Sequence, residues 1–246
     1  MNIEAMNEGL RRLLEKYLPG KTAELETDSE IGCGAILKKE GECVKLLPWR
    51  VERRFTELKN LTENGTLEEI STLRFAVMSA EESLRNLLYR ELDLCEFLGG
   101  SEIRSAFAVV AGNRIANVLI KLADGKSVSI ECSAALPGKT APLDRHELIA
   151  RRGIACDRVV DTQVPQSSIY LFRNGEETRY TDVDSELYGL ENQEIWIVRA
   201  AFAIIKTPGL AAQWNRTDHI LRRNVESILN TAESGKPVFF QEEQHA

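Results

Sequence analysis

No stretch of this sequence approaches the ~18 consecutive apolar residues that a membrane-spanning helix requires, so no membrane role is expected. Basic charge is also short. Lys and Arg number 31 against 38 Asp and Glu, giving a net charge of −7 and a pI near 5.3. That balance argues against a nucleic-acid partner, because phosphate binding needs clustered cations. The start, Met1-Asn2-Ile3-Glu4, has neither the basic nor the apolar region of a secretion signal. The five cysteines, Cys33, Cys43, Cys95, Cys132 and Cys156, are scattered and include no C-x-x-C pair. They point to free thiols in a reducing cytoplasm. The three histidines, His146, His219 and His245, lack metal-ligand spacing, and no metal is expected.

Nucleotide motifs are missing as well. A dinucleotide site needs G-x-G-x-x-G between a strand and a helix. Gly32-Cys33-Gly34 begins such a pattern, but Leu37 stands at the third glycine and a hairpin is the better reading. Gly138-Lys139-Thr140 is half of a P-loop, with Ser133 where the first glycine belongs and Pro142 close behind, which suits a surface loop. No cofactor is therefore expected. Asp157 with Asp161, and Asp182 with Asp184, sit beside strand ends and turns and read as solvated loop charges. Trp49, Trp196 and Trp214 suit core or interface positions better than a sugar platform. No Ser-His-Asp set can be assigned without geometry.

What is present is an ordinary globular composition, 43% hydrophobic and 28% charged over 246 residues. Met6, Leu10, Leu13, Leu14 and Leu18 recur at helical spacing over residues 3–18, and Pro19-Gly20 stops that helix. Apolar runs at 35–37 and 43–47 flank Glu40-Gly41, a hairpin signal. A helix ended by Gly65 and a strand through Leu73, Phe75 and Val77 follow. After a helix over residues 81–98 the pattern turns to strands. Those at 103–110, 114–122 and 127–133 are joined by Gly112-Asn113 and Asp124-Gly125. Val118, Ile120 and Leu122 alternate with polar neighbours, as do Val128, Ile130 and Cys132, so one face of these strands is buried. Further strands are expected at 146–151, 154–161, 168–173 and 178–182, the last pair turning at Asn174-Gly175, with helices at 187–206 and 216–234. Hairpins beside a few helices define an α+β fold, a large open, mainly antiparallel β-sheet with helices on one face.

Several motifs carry a resemblance. Arg50-Val51, Phe55, Leu58-Lys59, Leu61 and Asn64 to Ile70 resemble R-[FY]…LK-x-[LI]-x-x-x-G-x-[LI]-G-x-I, with Glu68 at the second glycine. Asn86 to Asp93, followed by Gly100, resembles D-x-x-x-H-x-x-D…G, and Ala232 to Val238 resembles A-x-x-S-x-x-G-x-x-V. These are signatures of the glucose–fructose oxidoreductase and inositol dehydrogenase family (Gfo/Idh/MocA). The resemblance covers about four fifths of the chain and is to the C-terminal domain of that family, without its N-terminal Rossmann domain. It implies an open antiparallel sheet covered by helices on one side. It divides the chain into residues 1–48, a remnant or replacement of the cofactor domain, residues 49–240, the C-terminal-like domain, and a polar tail at 241–246.

The resemblance also places Asn86 where the family has Asp and Arg90 where it has the catalytic His. Asn cannot take up a proton, and Arg stays protonated at neutral pH. The family's E-K-P is absent too. A non-catalytic relative is the leading expectation, acting as a homo-oligomeric binding or scaffold protein. A subunit needing a Rossmann-domain partner in trans and a cofactor-independent enzyme acting on sugar derivatives are the alternatives. Candidate ligand-binding residues are Asn86, Arg90 and Asp93, which share a helix face, and His219. Arg90 has two readings. It anchors a sugar-like or anionic small molecule through its forked donors, or it forms a helix-surface pair with Asp93 or Glu91. No catalytic residue is assigned. A homodimer is expected through the sheet face that carries Asn117, Leu119, Lys121, Ser127, Ser129, Glu131 and Ser133, as family members commonly associate there.

Overall fold

The computed structural model describes residues 1–138, 140, 142–157, 169–173, 176–180 and 184–240. Its elements run α1 (Ile3–Tyr17), β1 (Glu24–Thr27), β2 (Ala35–Lys39), β3 (Glu42–Lys45), α2 (Arg53–Glu63), β4 (Ile70–Met78) and α3 (Leu84–Gly99). Then come β5 (Ile103–Ala111), β6 (Ile115–Leu122), β7 (Ser127–Ser133), β8 (Leu143–Ala150), β9 (Gly153–Cys156), β10 (Ile169–Arg173) and β11 (Glu176–Tyr180). Helices α4 (Asn192–Lys206) and α5 (Leu210–Ser234) and the short strand β12 (Val238–Phe239) close the order. No helix among the described residues is long and apolar enough to cross a membrane.

The chain divides into two compact units, Met1–Val51 with Val159–Asn215, and Glu52–Arg158 with Arg216–Ala246. In the first, Asn2 caps α1 by accepting from the Ala5 amide at 3.1 Å. The stripe Met6, Leu10, Leu13 and Leu14 is buried, and the Asn2 backbone amide donates to Glu194 at the start of α4. The opening residues thus share a unit with α4, because an amphipathic α1 has its apolar partner there. Strands β1, β2 and β3 form an antiparallel sheet, with Gly32-Cys33-Gly34 in the loop of its first hairpin and Glu40-Gly41 in the second. Strands β10 and β11 pair antiparallel, and the turn expected between them lies outside the described residues, as do Asp161, Asp182 and the 241–246 tail.

The second unit is built on a seven-stranded sheet in the order β12-β5-β6-β7-β4-β8-β9. Every neighbouring pair is antiparallel except β4 and β7. It is the open, mainly antiparallel α+β architecture expected from the sequence. Gly112 and Asn113 both take positive φ, and the Arg114 amide returns to the Ala111 carbonyl at 3.2 Å. Such a tight turn matches the twist of the strands it joins and fixes their register. Val118, Ile120, Leu122, Val128, Ile130 and Cys132 face the core, as their alternation predicts.

Helix α3 covers β4, β6 and β7. It is capped by the Ser83 side chain at its start and by Gly100, at φ 68°, at its end. Leu87, Leu88, Leu92, Leu94, Cys95 and Leu98 are buried around most of its circumference, the pattern of a helix enclosed by its unit. One side meets the sheet, α2 lies against another, and Tyr89 Oη donates to Asp218 of α5 at 2.6 Å. Gly99 is where α3 comes closest to the sheet, since a Cβ there would stand 2.6 Å from Cδ1 of buried Leu122. Gly99→Ala should cost about 1–3 kcal/mol through overpacking, read as a lower urea midpoint at unchanged slope.

Among the described residues of this unit, none covers the centre of the other face of the sheet. Leu119 is 58% exposed, Val109 61% and Ile115 46%, and Phe239 of β12 is 70% exposed. They stand among Asn117, Lys121 and Glu131, which are also exposed.

Candidate functional site

The most unusual feature of the second unit is a buried set of charges on the helix-covered side of the sheet. Along β8, Asp144, His146 and Leu148 fall on one face by alternation, and His146 lies across from Phe75 of β4. His146 is fully buried. The rings of Phe55 and Phe75 meet it edge-on, each with centroids 4.8 Å away, and so keep water from it. Its two ring nitrogens face two different carboxylates. Nε2 lies 2.8 Å from Glu91 of α3, and Nδ1 lies 2.6 Å from Asp157, just beyond β9.

A carboxylate can only accept, so both ring nitrogens must donate and the ring is an imidazolium. Burial opposes that charge, but the negative Glu91 and the hydrogen bonds the ring donates to Asp157 and Glu91 prevail, and the His146 pKa is raised to about 9.

Two arginines complete the network. Arg90 donates through Nε to Glu91 at 2.7 Å and, with its two terminal nitrogens, grips Asp144 at 3.2 and 3.0 Å. Arg54, at the start of α2, reaches Asp144 at 2.7 Å, Asp157 at 3.2 Å and Glu52 at 2.5 Å. Burial favours the neutral acid at Asp144, yet Arg90 and Arg54 pull its pKa down to about 2. Glu91 is lowered against the same burial penalty by Arg90 and His146. Both arginines are held protonated by these neighbours although burial works against them. Four carboxylates thus meet three cations, and each partner offsets the cost of burying the others.

Glu91, Asp144 and His146 bring potential ligand atoms within 4.8 Å of one another. Each of these groups already has a partner of opposite charge, with His146 between Glu91 and Asp157 and Arg90 on Asp144. The carboxylates are already engaged by Arg90, so the arrangement is an ionic lock in character.

Of the residues singled out from sequence, Arg90 enters this network. It is no surface pair, because 23% of its side chain is exposed and none of Glu91. Asn86 is half-buried and donates to Glu82 at 3.1 Å, Asp93 is fully buried on the same helix, and His219 is exposed on α5. Asp157, taken as a solvated loop charge, is instead enclosed. Its side chain is fully buried and accepts from the His146 amide at 2.8 Å. His146 itself, between Arg145 and Glu147, carries one signal in the sequence, its shared parity with Leu148 in the strand. Trp49 and Trp214 are buried as expected, and Trp196 is half-buried.

No protein-family model and no curated protein matches this chain. Solved structures do. A myo-inositol dehydrogenase from Corynebacterium glutamicum is similar with a TM-score of 0.57 at 12% identity, over 79% of this chain and 63% of its own. A myo-inositol 2-dehydrogenase from Lactobacillus plantarum is similar with a TM-score of 0.55 at 12% identity, over 79% and 64%. The scyllo-inositol dehydrogenase from Lactobacillus casei, solved with NAD(H) and scyllo-inositol, follows at 0.52 and 13%, over 78% and 63%. The chain therefore spans less than two thirds of the length of the structures it resembles. These neighbours are inositol dehydrogenases of the Gfo/Idh/MocA type, and at such identities the likeness establishes the fold. It is the fold expected from the motifs, with partial coverage that fits their C-terminal domain.

Proposed function

We propose that this protein is a non-catalytic relative of the NAD-dependent sugar and polyol dehydrogenases, acting as a homo-oligomeric binding or scaffold protein. The observation that carries this reading is the state of α3. The position matching the family's catalytic His is Arg90, a group that cannot accept a proton, and its guanidinium is committed to Glu91 and Asp144. His146, close by, is already protonated and fully buried. An anionic ligand at Arg90 would have to compete with Asp144.

The uncovered sheet face supports the assembly half of the reading. Val109, Ile115, Leu119 and Phe239, with Asn117, Lys121 and Glu131, form a mixed apolar and polar surface on one side of the sheet. Two copies related by a twofold axis would cover it symmetrically, giving a contact with an apolar centre and a polar rim. Light scattering at micromolar concentration should report about twice the 27.6 kDa chain mass. Leu119→Arg should shift it to monomer, since it sets a charge in the middle of the contact. In the same preparation, calorimetry should detect no NAD(H) binding, and inositol should not be oxidised. A monomeric native protein would remove the assembly claim, and turnover of a polyol with NAD would remove the non-catalytic one.

A further inference from the structure

The buried network does more than fill space beneath α3, because it gathers both ends of one chain segment. Glu52 is the first residue of the second unit, and Asp157 is one residue short of Arg158, where this stretch of the unit ends. Arg54 contacts both. Asp157 is held from several sides. Its carboxylate takes the His146 amide at 2.8 Å, the imidazole Nδ1 at 2.6 Å and Arg54 at 3.2 Å, while its own amide donates to the His146 carbonyl at 3.2 Å.

We propose that His146 is a cationic bolt: its charged ring fastens Asp157, and with it the end of β9, to β8 and α3, and loss of one ring proton releases this segment while the rest of the sheet stays paired. Among the described residues, the charged groups facing the ring are Glu91 with Arg90 from α3, Asp144 from β8 at 3.5 Å, Asp157 beyond β9, and, through Asp144 and Asp157, Arg54 with Glu52 at the start of α2. Phe55 and Phe75 supply the apolar walls.

A neutral imidazole has one N–H, so it can serve only one of its two carboxylates and turns a lone pair toward the other. Glu91 keeps Arg90 at 2.7 Å and sits on an enclosed helix. Asp157 keeps Arg54, which also serves Asp144 and Glu52. It follows a four-residue edge strand whose Gly153 and Ile154 are exposed. Of the two carboxylates, Asp157 is the one attached to an exposed edge strand. Segments with few buried contacts at a sheet edge are where local opening begins.

The test holds pH constant. His146→Gln keeps a single uncharged donor pair at the ring's place, and amide hydrogen exchange of both proteins is compared at pH 7. Amides of Gly153–Cys156 and of Asp157 should exchange at least ~10-fold faster in the variant, with those of β5, β6 and β7 unchanged. Equal exchange at residues 153–157, or acceleration spread evenly over the sheet, would overturn the proposal. Should His146→Gln not fold, nitrogen chemical shifts of the ring in the native protein decide. Two protonated ring nitrogens between pH 7 and 8 support the bolt, and one protonated nitrogen overturns it.

Discussion

Glu91→Ala should lower the melting temperature of this protein by roughly 10 °C, the largest effect expected of any single substitution in the buried network. The reason lies in what the substitution leaves behind. Glu91 accepts from Arg90 at 2.7 Å and from His146 at 2.8 Å, and neither cation reaches water easily. Removing one partner of a buried ion pair commonly costs about 3–5 kcal/mol, because the surviving charge keeps its desolvation penalty and loses its compensation. A double-mutant cycle separates this from simple loss of packing. Glu91→Leu combined with His146→Phe should cost at least ~1 kcal/mol less than the sum of the two single changes. Calorimetric melts of the four proteins make the check. A strictly additive cycle, or a Glu91→Ala loss under ~1 kcal/mol, would mean that the network is not the coupled unit its geometry describes.

The second large effect is a loss of stability on the alkaline side of neutrality. His146 is raised from 6.5 to about 9 in the folded protein. Below pH 6.5 folded and unfolded chains both hold the proton, and the imidazolium contribution is present in full. As pH rises the unfolded chain gives up its proton first, so the contribution drains away and is gone above pH 9. The difference corresponds to about 3 kcal/mol, or ~1.4 kcal/mol per pH unit in the middle of the window. On the acid side the sign reverses. Asp144, lowered from 3.8 to about 2, stabilises above its unfolded value, and that help is lost as pH falls through this range. Stability should therefore be greatest between about pH 4 and 6.5. Burial also pushes the Cys33 thiol up to about 12, but unfolded thiols ionise only near 9, so the decline between pH 6.5 and 8 belongs to the histidine. Urea midpoints at pH 6, 7 and 8 measure it. A flat profile over that span would show that His146 is neutral in the folded state.

Much of the architecture was legible along the chain because it depends on local rules. Period-two alternation set the inward faces of β6 and β7, and glycine with asparagine at 112 and 113 set their upstream turn. The stripe of α1 and the left-handed cap at Gly100 are likewise properties of a few adjacent residues. Arg90 could be singled out because a motif supplied an expectation for its position.

Its partners could not be found that way. Glu52, Arg54, Glu91, Asp144, His146 and Asp157 come from four separate stretches of chain, and ion pairs form by proximity in space. In sequence each looks like a solvated charge on a helix, a strand or a loop. The parallel placement of β4 between β7 and β8 carries β8 beneath α2 and α3, and so encloses a histidine that would otherwise be one of three unremarkable ones. By itself the sequence determined the elements, the α+β class and the two faces of the sheet, since those follow from backbone preference and hydrophobic period. Only the tertiary structure decided which charges meet away from water, because desolvation acts on the packed assembly and not on any residue alone.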